Sequence, residues 1–185
     1  MTSLLVMVGA GVALTAGWPL LNAVLPDTER LRAGSTLTLS PGAVAGDGDA
    51  PKSARFTVGR GWTMSRSESN PRNGYRLRHG TVELAVAYLM PPRAARAHQF
   101  WSGLRETVKI ADAGARLGRP NPVTNARGTS GVTGTLDHAG RTGRASIFPS
   151  RAGDYAVEIQ ILGPPGARRG DRAEAERVAG TLTLP

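Results

Sequence analysis

The chain has 185 residues, and its 23 Lys and Arg against 14 Asp and Glu give a formal charge of +9. It contains no cysteine, which excludes disulfides, thiolate zinc sites, cysteine nucleophiles and lipid attachment through cysteine. Aromatic residues make up only 5% of the chain and the arginines are scattered along it, so the interleaved basic and stacking side chains of a single-strand nucleic-acid surface are missing.

Residues 4–25, "LLVMVGAGVALTAGWPLLNAVL", carry no charge, and Asp27 is the first charged side chain. About 20 apolar residues suffice to cross the hydrocarbon core of a bilayer. Trp18 suits an interface, Pro19 follows it, and Pro26 stops the stretch. A cleaved signal peptide would need a basic start and a small-x-small site. Here the start is "MTS", and the best site, Thr15-Ala16-Gly17, runs into Trp18-Pro19. A buried core helix would show a polar face, which this stretch lacks. Residues 1–26 are therefore expected to form a transmembrane anchor. Arg30 and Arg32 follow the span, a count that by itself favours a cytoplasmic domain.

Residues 27–53 read as a linker with a first strand, and 54–185 as one α+β domain. "STLTLS" alternates Leu37 and Leu39 with threonines, a strand signal. "PGAVAGDGDAPKS" is loop by composition. "ARFTVGRGWTMSRS" reads as strand, turn and strand around Gly59-Arg60-Gly61. "YRLRHGTVELAVAYLM" gives two strands hinged at His79-Gly80. In the second, Val82, Leu84, Val86 and Tyr88 share one face and Ala85, Ala87 and Leu89 the other, which predicts a central strand covered on both sides. After Pro91-Pro92 the spacing of Ala97, Phe100, Trp101, Leu104 and Val108 predicts a helix over about 93–112, with Gly114 as its C′ residue. Strands follow near 122–127, 131–138 and 142–149, with Ala139-Gly140 as a turn. "YAVEIQILG" places Tyr155, Val157, Ile159 and Ile161 on one face. Asp171 is the expected N-cap of a closing helix that packs Ala175 and Val178 inward. The fold class is thus α+β: an antiparallel sheet, one helix after the central strand and one at the C-terminus, preceded by a transmembrane helix.

The segments "FTVGRGWTM", "ARAHQFWSGLRETV" and "AEAERVAGTLTL", in that order, resemble actinobacterial cell-envelope proteins with a PsbP-like fold, of which the LpqN-type lipoproteins are one branch. The resemblance covers roughly 54–184, with Gly61-Trp62 as its one compact motif. It implies an exported, membrane-tethered αβα sandwich that binds another envelope protein or an envelope lipid or glycan, without catalysis and without a cofactor. The chain departs from the lipoprotein branch in having no lipobox cysteine, so the tether would be the apolar stretch. The resemblance sets the expected location: at the cell membrane, with the domain outside the cytoplasm.

No catalytic constellation stands out. His79, His98 and His138 lack ligand spacing with one another, so no metal site is expected. Asp137-His138, with Ser130 or Ser146, supplies the residue types of a hydrolase, the alternative reading, but no G-x-S-x-G elbow accompanies them. Asp47 and Asp49 lack the further ligands that calcium needs. Trp62, Phe100 and Trp101 are the candidate ligand or partner contacts. Phe100 and Trp101 are adjacent on a helix, so only one is expected to point fully inward. Arg76, Arg78, Arg141 and Arg144 are the candidate contacts for an anionic lipid or polymer.

Overall fold

Alternating side chains on the central strands build a sheet with two apolar faces. The structure, a computed structural model, describes residues 27–40, 53–91 and 93–185. The expected anchor, Asp47 and Asp49 lie outside those residues. Among the described residues no helix is long and apolar enough to cross a membrane.

The elements are β1 (Thr28–Arg30), β2 (Thr36–Leu39), β3 (Ala54–Thr57), β4 (Thr63–Ser65), β5 (Gly74–His79), β6 (Val82–Leu89), α1 (Ala97–Ala111), β7 (Arg116–Leu117), β8 (Asn121–Thr124), β9 (Ser130–His138), β10 (Arg141–Pro149), β11 (Ala156–Gly163) and α2 (Arg169–Gly180). Nine strands form one antiparallel sheet in the order β1-β4-β5-β6-β11-β10-β9-β7, with β8 also on β9; β2 and β3 pair separately. Strand β6 is central, and β11 pairs with it from Ala156 opposite Leu89 to Leu162 opposite Glu83.

Helix α2 and the β2-β3 pair cover one face. There Phe56, Trp62, Leu77, Leu84, Val86, Val157, Ile159, Ala175 and Val178 form a buried cluster. Helix α1 lies on the other face against β7, β9 and β10. Its Phe100, Trp101, Leu104 and Val108 pack on Leu136, Ala145, Ile147 and Leu162. The close approach of Trp101 needs Gly134 beneath it, since a Cβ there would sit 2.8 Å from the indole. Phe100 and Trp101 are both buried, at 7% and 1% exposure. Trp101 is the one that points fully inward, and Phe100 is also buried where a partly exposed contact was expected.

Several local expectations also change. The Gly59–Gly61 turn does not close a hairpin: β3 pairs with β2, whereas β4 pairs with β1 and β5. The turn carries the chain from the small sheet to the large one. Helix α1 begins at Ala97 because the preceding segment is held extended, with the Ala95 amide donating to the Gly153 carbonyl at 2.8 Å. The helix ends at Asp112 in extended backbone, and Gly114 is no αL cap. Instead the Asp112 carboxylate accepts from the Gly114 amide at 2.8 Å. Asp171 lies inside α2, whose N-cap is Arg168, and it faces His79 at 3.5 Å. The Ala139-Gly140 turn is as expected, with φ of 49° and 72°, the positive pair that a two-residue hairpin favours. Strands β1 and β7 are too short to leave a periodic signal.

Leu84 is fully buried in the α2-side core, so Leu84→Ala should lower unfolding free energy by about 2–5 kcal/mol. Exposed Thr135 should tolerate alanine within about 0.5 kcal/mol. Urea denaturation of both variants measures the contrast, and equal losses would refute this assignment of the core.

Candidate functional site

The face of the sheet that α1 occupies is only partly covered. On that face β6 carries Glu83, Ala85, Ala87 and Leu89, and β11 carries Ala156, Glu158, Gln160 and Leu162. In register, Glu158 sits beside Ala87 and Gln160 beside Ala85. One strand further out, Gly74 lies beside Ala87 and Arg76 beside Ala85. A cleft of about 560 Å³ opens beside α1, and the short Ala85 and Ala87 line the hollow that continues from it. Leu89, Met90 and Pro91 line one side, Phe100, Gly103, Leu104 and Thr107 the helix side, and Glu158 the floor. Past Leu104, Thr107 and Glu158 a second hollow of about 300 Å³ continues to Gln160, Arg76 and His138. Sizes and mostly apolar walls of this kind suit a small-molecule ligand. At the outer lip Met90 is 63% exposed.

Glu158 is the unusual group. It is only 8% exposed, its carboxylate accepts from Gln160 Nε2 at 2.5 Å, and among the described residues it has no basic partner. Burial pushes its carboxyl above the ordinary glutamate range, while the Gln160 bond opposes that shift. Near the cleft, Tyr88 stacks on Tyr155 with ring centroids 5.1 Å apart. Burial, reinforced by Tyr155 and Asp154, holds the Tyr88 phenol well above its usual value, so it stays neutral.

No protein-family profile matches this chain, and no curated protein sequence matches it either. Among solved structures, the cyanobacterial PsbP protein (CyanoP) of Synechocystis sp. PCC 6803 is similar with a TM-score of 0.52, covering 84% of this chain and 95% of that one at 17% identity. The fold is PsbP-like. A protein from Bacteroides thetaiotaomicron, 13% identical over 71% of this chain and 45% of its own, reaches a TM-score of 0.37, too low to carry an argument. At these identities the likeness concerns the fold alone.

Within this PsbP-like fold the expected site residues separate. Phe100 lines the cleft. Trp62 is fully buried on the opposite face, donating from Nε1 to Glu174 at 3.1 Å. Trp101 donates to the Gly118 carbonyl at 3.3 Å and packs under α1. Arg76 and Arg141 both pair with Glu83, at 2.9 and 2.7 Å, and Arg141 also donates to the Thr81 and Leu162 carbonyls. Arg78 is exposed on the same face, whereas Arg144 alternates to the other face, opposite Ile161. The four arginines therefore do not form one patch.

Asp137 and His138 are consecutive in β9 and point to opposite faces, so they form no dyad. His138 instead meets Asp112 at 3.2 Å. Bonds from the Gly114 and Ala139 amides, with His138 adding to them, hold the Asp112 carboxyl below its usual range. Ser146 bonds Thr133 at 2.8 Å and Ser130 lies beside Thr124 at 3.4 Å, both away from His138. Among the described residues no three or more His, Asp or Glu side chains are grouped as metal ligands.

Glu158 and the cleft were missed in the sequence, although a signal exists. In "AVEIQIL" the face opposite Val157, Ile159 and Ile161 carries two polar residues where a doubly covered strand would be apolar throughout.

The raised carboxyl gives a pH dependence of stability. The native protein holds the Glu158 proton more tightly than the unfolded chain does. That contribution is complete below the unfolded-state value and is lost as pH rises through the folded-state value. Glu158→Gln should therefore be more stable than wild type at pH 8, by on the order of 1 kcal/mol, with the gap closing near pH 4. Urea unfolding at the two pH values measures it, and a variant less stable at pH 8 would contradict the assignment.

Proposed function

We propose that this protein is a membrane-anchored, extracytoplasmic binding domain of the bacterial cell envelope, related to the LpqN-type branch, that holds an elongated and mainly apolar ligand without transforming it. The observation that carries the reading is the cleft along α1, with Leu89, Phe100 and Leu104 as walls and small residues beneath. The uncharged stretch 4–25 supports an anchor, since its length matches a bilayer core. A binding role also agrees with the separation of Asp137 from His138 and with serines bonded elsewhere.

Asp27, where the described residues begin, lies near the far end of the cleft. Asp27, the residue just after the apolar stretch, lies with Thr28, Arg76 and Glu83 around a hollow that shares Arg76 with the far end of the cleft. A chain in the bilayer at residue 26 would hold the cleft near the membrane surface, where apolar molecules are abundant.

Gly103 offers a clean test. It lines the cleft, and a Cβ built on it meets nothing within 4 Å. Gly103→Trp should fill the space and leave the core intact, with no loss of stability because glycine is unfavourable inside a helix by about 1 kcal/mol. The full chain in nanodiscs would be treated with a long-chain alcohol carrying a benzophenone. Saturable cross-links to the peptides around 85–107 are expected in wild type, with at least a tenfold loss in Gly103→Trp. Equal labelling of the two would sink the cleft as the binding site.

Location is tested separately. A C-terminal fusion to an enzyme active only outside the cytoplasm should be active, and a cytoplasmic signal would refute the extracytoplasmic placement.

A further inference from the structure

A buried carboxyl beneath an apolar ligand cannot be neutral in its consequences. Glu158 is 8% exposed and forms the floor where the two hollows meet, beside Leu104 and Thr107. What little contact it has with water is through the cleft. Any apolar chain lying in the cleft removes that water, and a carboxylate stripped of water without a cation is costly. Protonation is the way out.

The charged groups around it do not change that conclusion. On its own strand the neighbour is Gln160, and across β6 and β10 the neighbours are Ala87 and Ile147. Helix α1 presents uncharged Phe100, Leu104 and Thr107. Tyr88 is neutral at one end beside Arg93, and Arg76 and His138 stand at the other. Arg76 is already held by Glu83 and Glu68, at 2.9 and 3.3 Å, and His138 by Asp112 at 3.2 Å.

We propose that Glu158 is the specificity-determining residue of the cleft: it couples binding to uptake of one proton, so that uncharged chains are held more tightly as pH falls and chains bearing a carboxylate at mid-cleft are rejected. The inference rests on the cleft being the binding site. The direction follows from linkage, because the bound state holds the Glu158 proton more firmly than the free state. Affinity is highest below the free-state titration, falls as pH rises through it, and levels off above the bound-state titration.

The test uses the full chain in nanodiscs with the same benzophenone alcohol, which is uncharged at every pH. Apparent affinity is read from saturation of cleft-peptide labelling between pH 5 and pH 9. Wild type should weaken by up to about tenfold per pH unit across the titration, and Glu158→Gln should bind tightly with a flat profile. Glu158→Asp, which keeps a carboxyl, should retain the slope. A flat wild-type profile with saturable labelling overturns the proton coupling and leaves the cleft standing. A slope that persists in Glu158→Gln also overturns it. Absence of saturable labelling in wild type, or labelling indifferent to Gly103→Trp, overturns the cleft itself and the coupling with it. If Glu158→Gln does not fold, the wild-type and Glu158→Asp profiles decide the matter alone.

Discussion

One 15-residue helix, α1, lies on a face of a nine-stranded sheet, and the mismatch between their widths shapes everything else on that face. A helix with its side chains is about 10–12 Å across, while neighbouring strands are about 4.8 Å apart. One helix therefore covers two or three strands. Helix α1 sits against β7, β9 and β10, which leaves β5, β6 and part of β11 without a lid. The opposite face escapes the problem because α2 shares it with the β2-β3 pair, and that core contains Trp62, Leu84 and Ile159.

The uncovered strands show how a sheet adapts to such a gap. Near α1 the positions on β6 are small, Ala85 and Ala87, so the space stays open. Further out they are charged, and Glu83 ties Arg76 to Arg141 across four strands. Between the two zones lie Glu158 and Gln160, polar side chains on a strand that is otherwise apolar on both faces. Their mutual bond satisfies one donor and one acceptor, and the carboxyl keeps capacity for a proton. Open volume and a buried ionisable group thus have one origin in the shortage of covering structure.

Much of the fold was legible in the residues. Alternation marked β5, β6, β10 and β11, and the 3.6-residue spacing of Phe100, Leu104 and Val108 marked α1. Ala139-Gly140 marked a turn between β9 and β10, and both residues take positive φ there. The expectations that failed were those in which a partner distant in sequence decides. Gly59–Gly61 looked like a hairpin turn, yet β3 finds β2 and β4 finds β1. Asp171 looked like a cap, yet it lies inside α2 and faces His79 at the end of β5. Asp137 and His138 looked like a pair, but strand alternation puts neighbours on opposite faces.

The sequence by itself determined the class: an antiparallel α+β domain with apolar strands, two amphipathic helices, no cysteine chemistry, and an uncharged stretch of bilayer length before Asp27. These are local properties, set by periodicity and composition. Only the tertiary structure decided which half of the sheet α1 covers, that Phe100 borders open space while Trp101 is packed on Gly134, and that Glu158 lies at the bottom of a cleft. The reason is physical. Burial of a side chain on a strand's second face depends on what packs against it, and here the covering helix and the strands it leaves bare are joined only through pairings distant in sequence.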